Sequence, residues 1–100
     1  MKVFLSKLAE SKLLKLSDYL IENWDLKTRD KFITQFTDKI EQISNQPNSC
    51  PQSSEFNGLF KCVVTKQTIF YYRINKDNKE IEIITLFDSR QSPKNLKRDL

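Results

Sequence analysis

Apolar residues recur in steps of three and four through the first half of the chain and in steps of two through the second, so helices precede strands. The opening Lys2-Val3-Phe4-Leu5 suits a short strand, because Val and Phe are good strand formers. Ser6 then offers a hydroxyl to cap the helix that follows. In that helix Leu13, Leu16, Leu20 and Trp24 fall at helical spacing, and Leu8, Ala9 and Leu14 widen the stripe. Asp25 or Thr28 can cap a second helix, whose apolar positions are Phe32, Ile33, Phe36, Ile40 and Ile43. The short connection predicts an antiparallel helical hairpin. Pro47 and the polar run 48–54 end the second helix. Gly58, the only glycine, predicts an awkward backbone turn.

From Leu59 the pattern changes. Residues 59–66 and 68–75 are rich in β-branched and aromatic side chains, with a tight turn around Gln67. Lys76-Asp77-Asn78-Lys79 reads as a second turn, because Asp and Asn tolerate left-handed geometry. The run 80–87 alternates and then becomes continuously apolar, as a central strand with both faces covered does. The predicted order is β-α-α-β-β-β, an α+β fold with the helical hairpin packed on a small, mostly antiparallel sheet. Ser92-Pro93 can open one further helical turn.

Composition adds few constraints. One hundred residues fit a single domain, 1–100, with 89–100 as a basic C-terminal tail. A chain of that length buries roughly 65% of its unfolded surface, enough for one core without cross-links. No apolar run approaches the roughly 20 residues that span a bilayer, and the start lacks the long apolar stretch of a signal peptide. A cytoplasmic protein with no membrane contact is therefore expected, and in that reducing compartment Cys50 and Cys62 are expected to be free packing thiols. No metal and no cofactor are expected, since the two cysteines have no histidine to join them. The missing histidine also excludes Ser-His-Asp and Cys-His catalysis. The net charge of +4 favours acidic partners, whether protein or nucleic acid.

Particular residues carry a resemblance. The helices show Leu13-x-x-Leu16-x-x-Tyr19-Leu20, then Trp24, Phe32 and the Ile40/Ile43 pair, closing at Pro47. Gly58-Leu59-Phe60-Lys61-Cys62-Val63-Val64 and the apolar-Tyr-Arg strand Ile69-Phe70-Tyr71-Tyr72-Arg73-Ile74 follow. The chain closes with residues 83–96, ending in Arg90-x-x-Pro93-x-x-Leu96. In this order, over residues 2–96, the chain resembles the ParE/RelE superfamily of toxins from bacterial type II toxin–antitoxin systems, and ParE more closely.

That resemblance implies a growth-inhibiting toxin of the plasmid-stabilisation kind, neutralised by a cognate antitoxin. ParE-like members bind DNA gyrase, whereas RelE-like members cut messenger RNA on the ribosome. For a nuclease, Lys61, Lys66, Arg73 and Arg90 would hold phosphate, with Tyr71 or Tyr72 as a phenol. Nuclease-type members usually carry an arginine where this chain has Thr68-Ile69, and many have a histidine or a C-terminal tyrosine that it lacks. The ParE-like reading needs only a surface, for which Arg90, Lys94, Lys97 and Arg98 are the candidate target contacts. Arg90 has a second reading, as a cap that bonds Asp88 or backbone carbonyls at the last strand.

The resemblance makes Leu8, Leu14, Ile21 and Trp24 the candidate antitoxin-binding residues, together with the open sheet. The plainer reading, preferred here, has the three aliphatic residues widening a core-facing stripe and Trp24 anchoring the helix end in the core. Apart from any family, Phe70, Tyr71 and Tyr72 could form a base-stacking platform, although neighbours on a strand point to opposite faces.

Overall fold

The computed structural model describes residues 1–91. The elements are β1 (Lys2–Leu5), α1 (Lys7–Asn23), α2 (Leu26–Asn45), β2 (Phe60–Val63), β3 (Thr68–Asn75) and β4 (Glu80–Asp88). The expected β-α-α-β-β-β order and the α+β class are found. The sheet order is β1-β4-β3-β2. β1 runs parallel to β4, and the β4–β3 and β3–β2 pairs are antiparallel.

Ser6 ties the two layers together. Its hydroxyl accepts from Ala9 N at 3.0 Å, capping α1, and donates to Ile84 O at 2.6 Å. That carbonyl is offered by an irregularity in β4: Tyr71 faces Thr85 but Tyr72 faces Ile83, so Ile84 is an extra residue. Asp25, not Thr28, caps α2 by accepting from Thr28 N at 2.7 Å. At its far end α2 meets the chain start, where the Met1 ammonium donates to Ser44 O at 2.8 Å.

Both helices cover one face of the sheet. Leu16 and Leu20 of α1 and Phe32, Phe36 and Ile43 of α2 pack on Phe70, Tyr72, Ile81, Ile83 and Leu86. Phe36 meets Phe70 edge-on at 5.7 Å, and Phe60 stacks on Tyr72 at 5.1 Å. On the opposite face Tyr71 lies beneath Phe56, edge-on at 5.4 Å.

Several expectations are corrected. β2 is shorter than the predicted 59–66, because Val64–Gln67 form the turn and Val64 N bonds Thr68 O at 2.9 Å. The left-handed residue of the next turn is Lys79, with φ 54°, rather than Asp77 or Asn78. Leu8, Leu14 and Ile21 do not widen the core: they are 38%, 62% and 38% exposed. Trp24 does not anchor the helix end inside, being 52% exposed. With only two layers, α1 buries the stripe that faces the sheet and leaves its flanks partly open. Phe70, Tyr71 and Tyr72 are all fully buried, which excludes the stacking platform. The predicted turn at Ser92-Pro93 lies outside the described residues. Gly58 does take the expected positive φ, 84°.

Candidate functional site

Where α2 begins, its first turns face the β2–β3 turn and the end of β4 across a cleft of about 310 Å³. Thr28, Lys31, Phe32, Gln35, Thr65, Lys66, Gln67 and Arg90 line it. The β2–β3 turn is held by Thr65, whose hydroxyl accepts from Gln67 N and Thr68 N, each at 3.1 Å. Ser89 N donates to Gln67 O at 2.8 Å and fastens the turn to the end of β4.

Arg90 is the most constrained of the cations. Its Nε and Nη2 reach the Asp88 carboxylate at 2.8 and 2.6 Å, and its backbone N donates to the same carboxylate at 2.9 Å. Thr68 Oγ1 supplies a fourth bond to Asp88 at 2.5 Å. Tyr19 donates its hydroxyl to Arg90 O at 2.9 Å, and the Trp24 ring lies 5.5 Å from the guanidinium carbon. Burial pushes the Asp88 carboxyl upward, but the bonds from Arg90 and Thr68 outweigh it and hold the group below its ordinary pKa. The same carboxylate raises the pKa of Arg90. The capping role read from the sequence is therefore realised, and it positions the guanidinium at the cleft.

Lys31 and Lys66 complete the charge, and among the described residues neither has an ion-pair partner. The cleft thus presents three cations, one of them neutralised by Asp88, among hydroxyls and amides and above the Phe32 ring. It lies at the positive end of α2, whose first turn holds no acidic residue. Lys27, Arg29 and Lys31 there oppose the helix dipole, and the Asp25 carboxylate at the cap offsets part of that cost.

The cations named from the sequence do not all meet. Lys66 and Arg90 share the cleft, whereas Arg73 pairs with Glu82 at 2.7 Å near the far end of β3. Lys61 faces Tyr71 across β2 and β3, away from the helices. Neither tyrosine proposed as a phenol is accessible. Tyr72 donates to Pro47 O at 2.7 Å, and burial raises the pKa of both phenols. Among the described residues Tyr71 Oη has no hydrogen-bond partner. Lys94, Lys97 and Arg98 lie outside the described residues. Sequence reasoning passed over Lys31, although the signal stood in the basic run Lys27-Thr28-Arg29-Asp30-Lys31 beside a helix start.

A second surface lies on α1. A shallow groove of about 550 Å³ runs along Lys7, Glu10, Ser11, Leu14, Lys15 and Asp18. Leu14 and Ile21, seven residues apart, share one flank of the helix, with exposed Trp24 at its end. Leu8 falls on the opposite flank, so the four candidates do not form one patch. Among the described residues no three His, Cys, Asp or Glu side chains gather as a metal site requires, and no helix is long and apolar enough to cross a membrane.

Residues 3–93 match the family described as the ParE toxin of type II toxin–antitoxin system, parDE. No curated protein sequence is significantly similar. The fold is similar to that of a chain in the chromosomal ParDE toxin–antitoxin system of P. aeruginosa, with TM-score 0.71 and 16% identity over 88% of this chain and 95% of that one. It is also similar to the YoeB/ParE toxin of Agrobacterium tumefaciens, with TM-score 0.64 and 15% identity over 88% and 98%. A chain of the RelBE2 toxin–antitoxin complex of Mycobacterium tuberculosis gives TM-score 0.59 and 18% identity over 87% and 95%.

Proposed function

The chain belongs to the family of ParE toxins of type II toxin–antitoxin systems, and on that premise we propose that it arrests growth by binding DNA gyrase rather than by cutting RNA. It acts as a single cytoplasmic domain without a cofactor, and a cognate antitoxin holds it in check. The observation that carries the binding reading is the lining of the cleft: Lys31, Lys66 and Arg90 supply charge, but among the described residues no carboxylate, phenol or imidazole lines it. A nuclease needs a proton acceptor beside its phosphate-binding cations. A binding surface needs only cations held in place, and Asp88 holds Arg90.

Cations of this kind suit an acidic protein surface or the phosphates of gyrase-bound DNA. The antitoxin is expected on α1, where Leu14, Ile21 and Trp24 offer apolar anchors to an amphipathic segment.

The test is a supercoiling assay with purified protein, gyrase and relaxed plasmid, beside pulse-labelling of DNA and protein synthesis after induction. Inhibited supercoiling and an early stall in DNA synthesis are expected. The double substitution Lys31→Glu and Lys66→Glu should abolish both effects and leave the fold intact. Messenger cleaved at defined codons on the ribosome, with protein synthesis stopping first, would overturn the proposal in favour of a ribosome-dependent mRNA endoribonuclease.

A further inference from the structure

Between α2 and β2 the chain doubles back as a strap along the outer edge of the sheet. Gln52 pairs antiparallel with Phe60. Lys61 N donates to Pro51 O at 2.9 Å and Ser53 N donates to Leu59 O at 2.7 Å. These two bonds bracket the Gln52–Phe60 pair from either side, which makes it a non-hydrogen-bonded antiparallel pair.

Antiparallel partners step in opposite directions, so the register of this single bridge, continued past Pro51 to the bend at Cys50, brings Cys50 towards Cys62. Two steps along a ladder restore both the pair type and the face. Opposed Cα atoms in such a pair lie about 4.5 Å apart, within the roughly 4.4–6.8 Å that a disulfide spans. Both thiols are free and buried, 6% and 1% exposed, in the same core cluster. They also feel each other: burial first, then the adjoining Cys50 thiol, pushes Cys62 up to about 12.

We propose that Cys50 and Cys62 are a disulfide site, oxidised by a low-molecular-weight disulfide such as oxidised glutathione. One protein thiolate attacks the glutathione disulfide, forms a mixed disulfide and releases one glutathione thiolate. The second protein thiolate attacks the protein sulfur of that mixed disulfide and releases the other glutathione. Two protein thiols lose two electrons and two protons, and one glutathione disulfide becomes two glutathione thiols. Because both thiols are buried, the first attack occurs when the strap lifts from β2. Pro51, having no N–H, leaves that stretch one ladder bond short of a regular strand. The finished bond closes the Cys50–Cys62 loop and keeps the outer edge of β2 occupied, so only the reduced protein can release that edge to another strand.

The test uses the full chain, unfolded in urea and refolded by dilution into glutathione buffers from reducing to oxidising, so that burial does not hide the thiols. Free thiols are then trapped by alkylation, and intact mass and peptide maps are read. The expected product is a monomer about 2 Da lighter, with one peptide cross-linked through Cys50 and Cys62. Its thermal midpoint should exceed that of the reduced protein by roughly 10 °C or more. The midpoint of Cys50→Ser should not respond to the oxidant. Mixed glutathione adducts, cross-linked dimers, full reduction in the oxidising buffer, or a disulfide that leaves the midpoint unchanged or lowers it would each overturn the proposal.

Discussion

Replacing Asp88 by alanine removes the acceptor of four hydrogen bonds and leaves the Arg90 guanidinium without its partner. The Asp88 side chain is fully buried and that of Arg90 is 20% exposed. Breaking a buried ion pair from one side costs about 3–5 kcal/mol, and the partial exposure of Arg90 lets water take up some of the loss, so about 2–4 kcal/mol is expected. For a chain of this size each kcal/mol is about 4–8 °C, so the thermal midpoint should fall by roughly 10–25 °C. Asp88→Asn keeps one acceptor oxygen but puts a donating NH2 where the other stood, so it loses the charge and two of the four bonds, for about 1–3 kcal/mol. Much of the alanine penalty is the stranded cation. Asp88→Ala combined with Arg90→Ala should therefore be more stable than the sum of the single changes allows. The pH dependence has a definite sign. The folded Asp88 pKa is lowered, so its contribution is complete well above the unfolded carboxylate value of about 3.9 and disappears as pH falls through the lower folded value. Urea unfolding followed by circular dichroism from pH 8 down to pH 3 measures this directly. A cost below about 1 kcal/mol at pH 7 would refute the reasoning. So would a gap between wild type and Asp88→Ala that persists unchanged into acid.

Two further outcomes are expected. Gly58→Ala should cost about 1–2 kcal/mol in the same assay; nothing lies within 4 Å of the added Cβ, so the whole cost is that of holding φ at +84°. Leu14→Asp, at a position 62% exposed, should change stability by no more than about 0.5 kcal/mol. It should nevertheless weaken binding of the antitoxin by at least roughly tenfold in a titration, since a charge replaces an apolar anchor; unchanged affinity would remove the α1 flank as the docking surface.

What could be read from the sequence was local. The Ser6 cap, β1, the turn at Gly58 and the strands β3 and β4 follow from adjacent residues, and the structure has them where the pattern puts them. Periodicity finds the helical stripe but not its width. Leu13 and Leu14 read alike until the sheet shows which of them it covers, and Leu14 is left outside. Trp24 read as core for the same reason, whereas its ring lies beside Arg90. The cleft was half legible, because Lys66 and Arg90 were named and Lys31 was not. Lys31 and Lys66 are far apart in sequence, and only the packing of α2 on the sheet brings them together. The extra residue at Ile84 has no signal in an apolar run, yet it supplies the carbonyl that Ser6 bonds.

The parallel pairing of β1 with β4 bears on when the molecule comes into being. Leu5 waits for Ile83, a partner 78 positions later. At ribosomal speeds of about 5–20 residues per second, β1 exists for roughly 4–16 s before its partner strand is made. During that interval the helices can form, but the sheet that should receive them is missing its central strand, and Asp88 and Arg90 have not been joined to the chain. A product that stops before Glu80 has neither the closed sheet nor the cations at its end. The complete fold therefore arrives late and all at once, only after β4 has been made and can pair with β1 and β3.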